Sequence, residues 1–251
     1  KRIKHPRAAN FVRKFSNGKF LLWYHNHAGE AVHERKWQYY DGRNPGWIAG
    51  GIEKNGFIHW SQPEILLYDD NPETRISYPD FVEDHGQYFI TETMKTFARV
   101  HPIDSSLLEG AWNQFENKTV ARRGLALTAE GKPSTITLPT LADLSKGGGF
   151  TLEFWMRLSE LSNGQVLLDA TTASGQGIIL QTTDRFTIAL TMNDGRIKAS
   201  WDCDPGTHEG TLRSGVWQHV VFIVDGGPKI ISVVVDGILN DGGAVPDYGW
   251  E

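Results

Sequence analysis

The chain has 251 residues, 39% of them hydrophobic and 11% aromatic, with 27 glycines and a single cysteine. A formal charge of −5 gives no support for nucleic-acid binding, and the one cysteine, Cys203, excludes an internal disulfide framework and a cysteine-rich metal site. The sequence contains no apolar run long enough for a transmembrane helix, so we expect no membrane insertion.

Short aromatic strands separated by turns dominate residues 1–103. Asn17-Gly18 precedes Phe20-Leu-Leu-Trp-Tyr24, and Asn55-Gly56 precedes Phe57-Ile-His-Trp60, which is the pattern of β-hairpins. Turns recur roughly every 8–12 residues, as is typical of propeller blades or of a sandwich. Since a blade needs about four strands, this region holds enough strands for about two blades.

A change of pattern between 104 and 120 predicts one short helix. Asp104 is a good N-cap residue, and Leu108 and Trp112 recur at helical spacing. We expect this helix to connect two strand-rich regions.

Residues 121–251 again have the pattern of strands. Apolar and polar residues alternate in Phe150-Thr-Leu-Glu-Phe-Trp-Met-Arg157, so we expect one face to pack inward in a β-sandwich. This segment is followed in order by Gly215-Val-Trp-Gln-His219 and Val233-Val-Val-Asp-Gly237. The combination resembles the laminin-G/concanavalin-A-like jelly roll, and the resemblance implies that the region binds glycans.

The same resemblance suggests ligand residues in the sandwich. The candidates for stacking on sugars are Trp155, Trp201, Trp217 and His219. For large aromatic residues at these positions, packing in the sandwich core is the commoner alternative. Some domains of this kind bind calcium, and the candidate ligands are Asp202, Asp204 and Asp225. Because they form no dense acidic loop, we expect no cofactor beyond, at most, one structural calcium ion.

Three segments of the first region occur in an order found in one group of propeller enzymes. Arg43-Asn-Pro-Gly-Trp-Ile-Ala49 precedes Glu53-Lys-Asn-Gly-Phe-Ile-His-Trp-Ser-Gln-Pro-Glu64, and Ser77-Tyr-Pro-Asp80 follows. The order of an arginine, a turn, a Trp-Ser-x-Pro series and a tyrosine loop resembles the blades of sialidase-like glycosidases. Related five-bladed glycosidases are the alternative, but Asn44 stands where their Arg-Asp-Pro motif has a carboxylate.

The sialidase resemblance implies that Tyr78 is the nucleophile. A carboxylate nucleophile would be repelled by the carboxylate of an acidic sugar, whereas a neutral phenol avoids this repulsion. Glu92 or Glu53 is the candidate for activating Tyr78, and Asp80 is a further candidate catalytic carboxylate. The alternative for Tyr78 is packing among the inner strands.

The resemblance also implies a substrate-binding set. Arg43, together with Arg75 or Arg99, would hold the substrate carboxylate through bidentate hydrogen bonds. Surface ion pairs are the alternative role for these arginines. Trp23 and His25 have the composition of a sugar subsite.

We therefore predict an all-β protein with a partial β-propeller of about two blades at 1–103, a helical linker at 104–120 and a truncated concanavalin-A-like β-sandwich at 121–251. Because the chain starts at Lys1 rather than Met and ends at Glu251 shortly after a strand, we expect a fragment of a longer protein. The expected function is that of a secreted, periplasmic or cell-surface sialidase-like exo-glycosidase carrying a carbohydrate-binding sandwich. A noncatalytic glycan-binding or adhesive protein is the alternative. In both cases the partner is a glycan or polysaccharide.

Overall fold

The computed structural model describes residues 8–26, 43–71, 74–93, 96–116, 131, 133–135, 137, 140–196, 198–202 and 212–240. These residues form a strand-rich structure with one α-helix, α1 at Ser105–Asn113, and one 3-10 turn at Leu144–Lys146. No helix among them has the length and the apolar composition that crossing a membrane requires.

The strands of the first region form two antiparallel sheets. In chain order the strands are β1 Phe11–Lys14, β2 Phe20–Tyr24, β3 Gly46–Lys54, β4 Phe57–Trp60, β5 Glu64–Leu67, β6 Asp80–Asp84, β7 Gln87–Thr93 and β8 Ala98–Ile103. Sheet A has the order β1-β2-β3-β4, and β5 also pairs with β3. Sheet B has the order β6-β7-β8.

Sheet A is covered on both faces, because β2 and β3 are apolar at nearly every position. Leu21 and Trp23 point to one side, where side chains of sheet B and α1 pack on them. Leu22, Tyr24 and Trp47 belong to a second buried cluster on the opposite side. A continuous apolar run, rather than an alternating one, is expected of a strand that is buried on both sides.

Helix α1 packs directly on β3. The carboxylate of Asp104 caps the helix by accepting a hydrogen bond from the Ser106 amide at 2.7 Å. Trp112 is buried, and its indole N–H donates to the carbonyl of Phe20 at 2.7 Å. Gly50 permits this close approach, since a Cβ atom at that position would lie 2.9 Å from Trp112 Cδ1. The predicted helix is therefore part of the core of the first region.

The second region is a sandwich of two four-stranded sheets. Its strands are β9 Gly149–Met156, β10 Val166–Thr171, β11 Gly177–Thr182, β12 Ile188–Asn193, β13 Lys198–Asp202, β14 Gln218–Asp225, β15 Ile230–Val235 and β16 Ile238–Asn240. Sheet C has the order β16-β15-β14-β9, and sheet D has the order β10-β11-β12-β13.

The inward faces of sheets C and D form one apolar core. Phe150, Leu152, Phe154 and Met156 of β9 pack against this core, which confirms the alternation predicted for that segment. Phe222 of β14 is fully buried in the same cluster. The prediction of a β-sandwich is confirmed.

The sandwich also packs on sheet A. Ile230, at the start of β15, is buried in the same apolar cluster as Tyr24 and Trp47. The Leu239 amide of β16 donates to Gln62 Oε1 of the first region at 3.0 Å. The outer face of sheet C at β15 and β16 is therefore covered by the first region.

The apolar segment Phe186-Thr-Ile-Ala-Leu190 predicts a core strand, but Phe186 lies in a turn with a φ of 58° and is 49% exposed, and β12 begins at Ile188. The order β1-β2-β3-β4 has the form of a blade, but the strands that the structure describes close no ring. The propeller therefore stays a prediction.

We expect Trp112→Ala to destabilise the protein by about 3–5 kcal/mol, because it empties a buried site and removes the hydrogen bond to Phe20. Phe57→Ala is the matched control, since Phe57 is 74% exposed and should cost little. Urea unfolding followed by circular dichroism measures both changes. Equal effects of the two substitutions would contradict the placement of α1.

Candidate functional site

Tyr78 lies on an exposed loop immediately before β6. Its φ is 50° and it is 56% exposed, which excludes the alternative of an aromatic plug among the inner strands. A left-handed backbone at a residue other than glycine costs on the order of 1 kcal/mol or more, and such residues are concentrated at functional sites. The ring is thus presented outward by a conformation that the surroundings must hold in place.

The residue before Tyr78 supplies that support. Ser77 is buried, its hydroxyl accepts a hydrogen bond from Arg43 Nη1 at 2.9 Å, and its carbonyl accepts one from the Thr93 amide at 2.9 Å. Thr93 is the last residue of β7 and directly follows Glu92. The structure therefore brings Tyr78, Arg43 and Glu92 to the same end of sheet B.

Glu92 is the most deeply buried charged group at this end. Its side chain is fully buried, and Arg99 Nε donates to Glu92 Oε1 across the β7–β8 pair. His101 Nε2 lies 3.5 Å from the same oxygen. The hydrogen bond to Glu92 raises the pKa of Arg99. Because Arg99 and His101 contact its carboxylate, Glu92 holds Arg99 in position.

Asp69 links this ion pair to the Arg43 segment. Arg99 Nη1 lies 3.3 Å from Asp69 Oδ2. The side-chain amide of Asn44 donates to the Asp69 carbonyl at 2.7 Å and accepts from the Asp69 amide at 3.1 Å. The adjacent residues Arg43 and Asn44 thus connect Ser77 to the Glu92–Arg99 pair.

The remaining polar candidates are Asp80, Glu53 and Arg75. Asp80 is exposed and pairs with Arg13 Nη1 at 3.6 Å. Glu53, the second candidate for activating Tyr78, bonds Lys14 Nζ at 3.1 Å on the surface of sheet A. Arg75 is half-buried three residues before Tyr78.

Trp23 and His25 require a correction. Trp23 has no exposed surface, and a Cβ atom at Gly46 would lie 1.9 Å from its ring. His25 is also buried, with Nδ1 3.1 Å from the carbonyl of Pro45 and its ring 5.7 Å from that of Trp23. Both rings belong to the packing of sheet A, which leaves no open face for a sugar.

A groove of about 300 Å³ lies on the outer face of sheet D. The residues that line it are Thr171, Gly175, Gly177, Ile179, Gln181, Thr191, Asn193 and Lys198. They come from all four strands of sheet D and from the loop between β10 and β11. Ligand sites in proteins are concave surfaces that carry a small number of polar groups. This concave surface on the outer face of sheet D is therefore a candidate ligand site.

The chemistry of this groove suits a hydroxyl-rich ligand. Its lining offers the Gln181 amide, threonine hydroxyls and the ammonium group of Lys198 around the apolar Ile179. Gly177, at φ 133°, is required for the close approach of β10 and β11 beside the groove, because a Cβ atom there would collide with the Ala170 carbonyl at 2.2 Å. None of the described lining residues is Asp or Glu, the residue types that form the carboxylate pair of most glycosidases.

The calcium prediction concerns residues of which little is described. Asp204 and the side chain of Asp202 lie outside the described residues, as do the side chain of Trp201 and all of Cys203. Asp225 Oδ1 accepts a hydrogen bond from the Gly227 amide at 3.1 Å. Within the part of the chain that the structure describes, no three His, Cys, Asp or Glu residues form a group suited to a metal ion.

Comparison with known proteins assigns the sandwich. Residues 130–250 match the family model of the concanavalin A-like lectin/glucanases superfamily. The sandwich is a concanavalin A-like domain. No curated protein matches the chain. The match therefore supports glycan binding by the concanavalin A-like domain and does not extend to the first region.

Sequence reasoning did not find the groove of the concanavalin A-like domain. Gly177, Ile179 and Gln181 alternate along β11 with the inward residues Ile178 and Leu180, and this alternation was available in the sequence. The pairing that brings Lys198 opposite Asn193 depends on the β12–β13 register, which a single sequence does not specify.

The Asp69 network predicts a dependence of stability on pH. Hydrogen bonding from the Asn71 backbone, with further contributions from Arg99 and Thr74, lowers the pKa of Asp69. A lowered pKa in the folded state stabilises the protein above the unfolded pKa of about 3.9, and this contribution is lost as the pH falls through the folded pKa. We expect Asp69→Asn to lower the free energy of unfolding at pH 7 and to flatten its decrease below about pH 4.

Urea unfolding at pH 7 and pH 3 tests this prediction. Asp70→Asn is the control, because Asp70 is the exposed neighbour in the same loop. An acid dependence of Asp69→Asn as steep as that of the wild type would contradict the role given to Asp69.

Proposed function

We propose that the concanavalin A-like domain binds a glycan in the groove of sheet D. The observation that carries the proposal is a concave surface of about 300 Å³ lined by amide, hydroxyl and ammonium groups, in a domain that matches lectins and glucanases. Because the described lining contains no carboxylate, this surface binds the glycan and does not cleave it.

Lys198 gives the groove a preference for acidic sugars. It is exposed and is the one charged side chain among the described lining residues. A carboxylate on the glycan would accept a charge-assisted hydrogen bond from its ammonium group. Gln181, on β11, would bond the neighbouring hydroxyl groups.

We expect the protein to bind 3′-sialyllactose more tightly than lactose, and Lys198→Ala to weaken sialyllactose binding by about tenfold to a hundredfold, as for loss of a hydrogen bond to a charged group. Titration calorimetry measures both ligands. Lys146→Ala is the matched control, because Lys146 is 82% exposed and lies on the 3-10 turn outside the groove. Equal affinities for the two sugars, unchanged in Lys198→Ala, would refute the acidic-sugar preference.

A second candidate function is sialidase-like hydrolysis by the first region, as part of a secreted or cell-surface enzyme. The observation that favours it is the exposed Tyr78, held in a left-handed conformation beside the buried Ser77–Arg43 hydrogen bond. In this proposal Tyr78 is the nucleophile and Arg99 contacts the substrate carboxylate, whereas the buried Arg43, predicted as a substrate ligand, instead holds the Tyr78 loop through its hydrogen bond to Ser77. Glu92 keeps Arg99 in position, and the exposed Asp80 is the nearest carboxylate in sequence. Without this activity, the protein is a noncatalytic glycan-binding or adhesive protein.

The hydrolase proposal predicts that Tyr78→Phe in the full-length natural protein lowers kcat on a fluorogenic sialoside by about a thousandfold or more, because the nucleophile is lost. Sialyllactose binding in the groove should not change. Tyr68→Phe is the control, since Tyr68 is another half-exposed tyrosine of the first region. An unaltered kcat in Tyr78→Phe would remove this residue from the mechanism.

A further inference from the structure

Two exposed tryptophans lie on the outer face of sheet C, on the opposite side of the sandwich from the groove. Trp155 of β9 is 55% exposed, and Trp217, next to the start of β14, is 58% exposed. The inward neighbours of Trp155 are Phe154 and Met156, which pack in the core. The strand alternation therefore directs both indole rings outward, which excludes for Trp155 and Trp217 the alternative of packing in the sandwich core.

The two rings occupy successive outward rows of the β9–β14 pair. Trp155 lies opposite His219, and the next outward row places Arg157 beside Trp217. Two residues along a strand correspond to about 6.8 Å, and neighbouring strands are about 4.8 Å apart. The two tryptophans are thus close enough to contact neighbouring units of one oligosaccharide.

Polar groups surround each ring. His219 lies against Trp155, with ring centroids 5.0 Å apart and an interplanar angle of 31°. Glu153 Oε1 lies 2.9 Å from His219 Nε2, and the Arg157 guanidinium lies 5.6 Å from the Trp217 centroid. Hydrogen-bonding side chains therefore lie beside both aromatic rings. Glu153 and Arg157 carry opposite charges, so neither sign of charge dominates this surface.

We propose that this surface, formed by Trp155, Trp217, His219, Glu153 and Arg157, is a second glycan-binding site for uncharged oligosaccharides. The faces of aromatic rings carry negative partial charge and attract the C–H face of a pyranose ring. The imidazole, carboxylate and guanidinium groups bond the hydroxyl groups at its edge. A protein partner would favour a continuous apolar patch with a polar rim, whereas charged groups here separate the two rings.

The position of the surface in the fold supports an exposed role. Among the described residues, the first region contacts the outer face of sheet C around Ile230 and Leu239, on β15 and β16. The β9–β14 half carries the two tryptophans and Ile223, which is 38% exposed. Within the described part of the chain, one half of sheet C is therefore in the interface with the first region, and the other half carries exposed side chains.

Cellohexaose is the probe for the test, and titration calorimetry is the measurement. We expect the full chain to bind it, and Trp155→Ala and Trp217→Ala each to weaken binding by about tenfold, as for truncation of an aromatic anchor. Trp155→Phe should retain most of the affinity, because the aromatic face is kept. Circular dichroism melting of each variant checks that the fold is intact.

Lys198→Ala separates this site from the groove. We expect it to weaken sialyllactose binding and to leave cellohexaose binding unchanged, whereas Trp155→Ala should do the opposite. The proposal is overturned if cellohexaose does not bind, if Lys198→Ala abolishes its binding, or if the tryptophan variants bind normally. It is also overturned if sedimentation shows that wild-type copies associate and Trp155→Ala copies do not, since the surface is then a protein contact.

Discussion

The burial of sheet A on both faces is the constraint on which the rest of the structure depends. Leu21 and Trp23 pack toward sheet B and α1, while Tyr24 and Trp47 pack toward Ile230 of the sandwich. One apolar sheet therefore joins the two regions, and the apolar surface buried between them stabilises their contact. As a consequence, the concanavalin A-like domain packs on the first region and is not merely tethered to it.

The polar network at the end of sheet B buries a charged group, whereas sheet A buries apolar ones. A fully buried carboxylate is costly unless it is paired, and Glu92 is paired with Arg99. Asp69 and Asn44 extend the pair to the segment that holds Ser77. Breaking such a network would leave an uncompensated buried charge, which is strongly destabilising. The network therefore holds in place the backbone segment that exposes Tyr78.

The sequence predicted the local structure better than the sites. The strands Phe20–Tyr24 and Phe57–Trp60 and the inward face of β9 follow directly from turns and alternation. Trp23 and Trp155 both occur in aromatic strands, yet one is in the core and the other is 55% exposed. That difference depends on which sheet covers each strand, and long-range packing of this kind is not encoded in local periodicity.

The central claim is that the concanavalin A-like domain binds glycan on sheet D, and amide chemical-shift mapping with ¹⁵N-labelled protein tests it most directly. On titration with 3′-sialyllactose, we expect the largest shifts at residues of β11, β12 and β13 that line the groove, including Gln181, Asn193 and Lys198. Shifts confined to sheet C or to the loop of Tyr78, or no shifts at millimolar ligand, would contradict it.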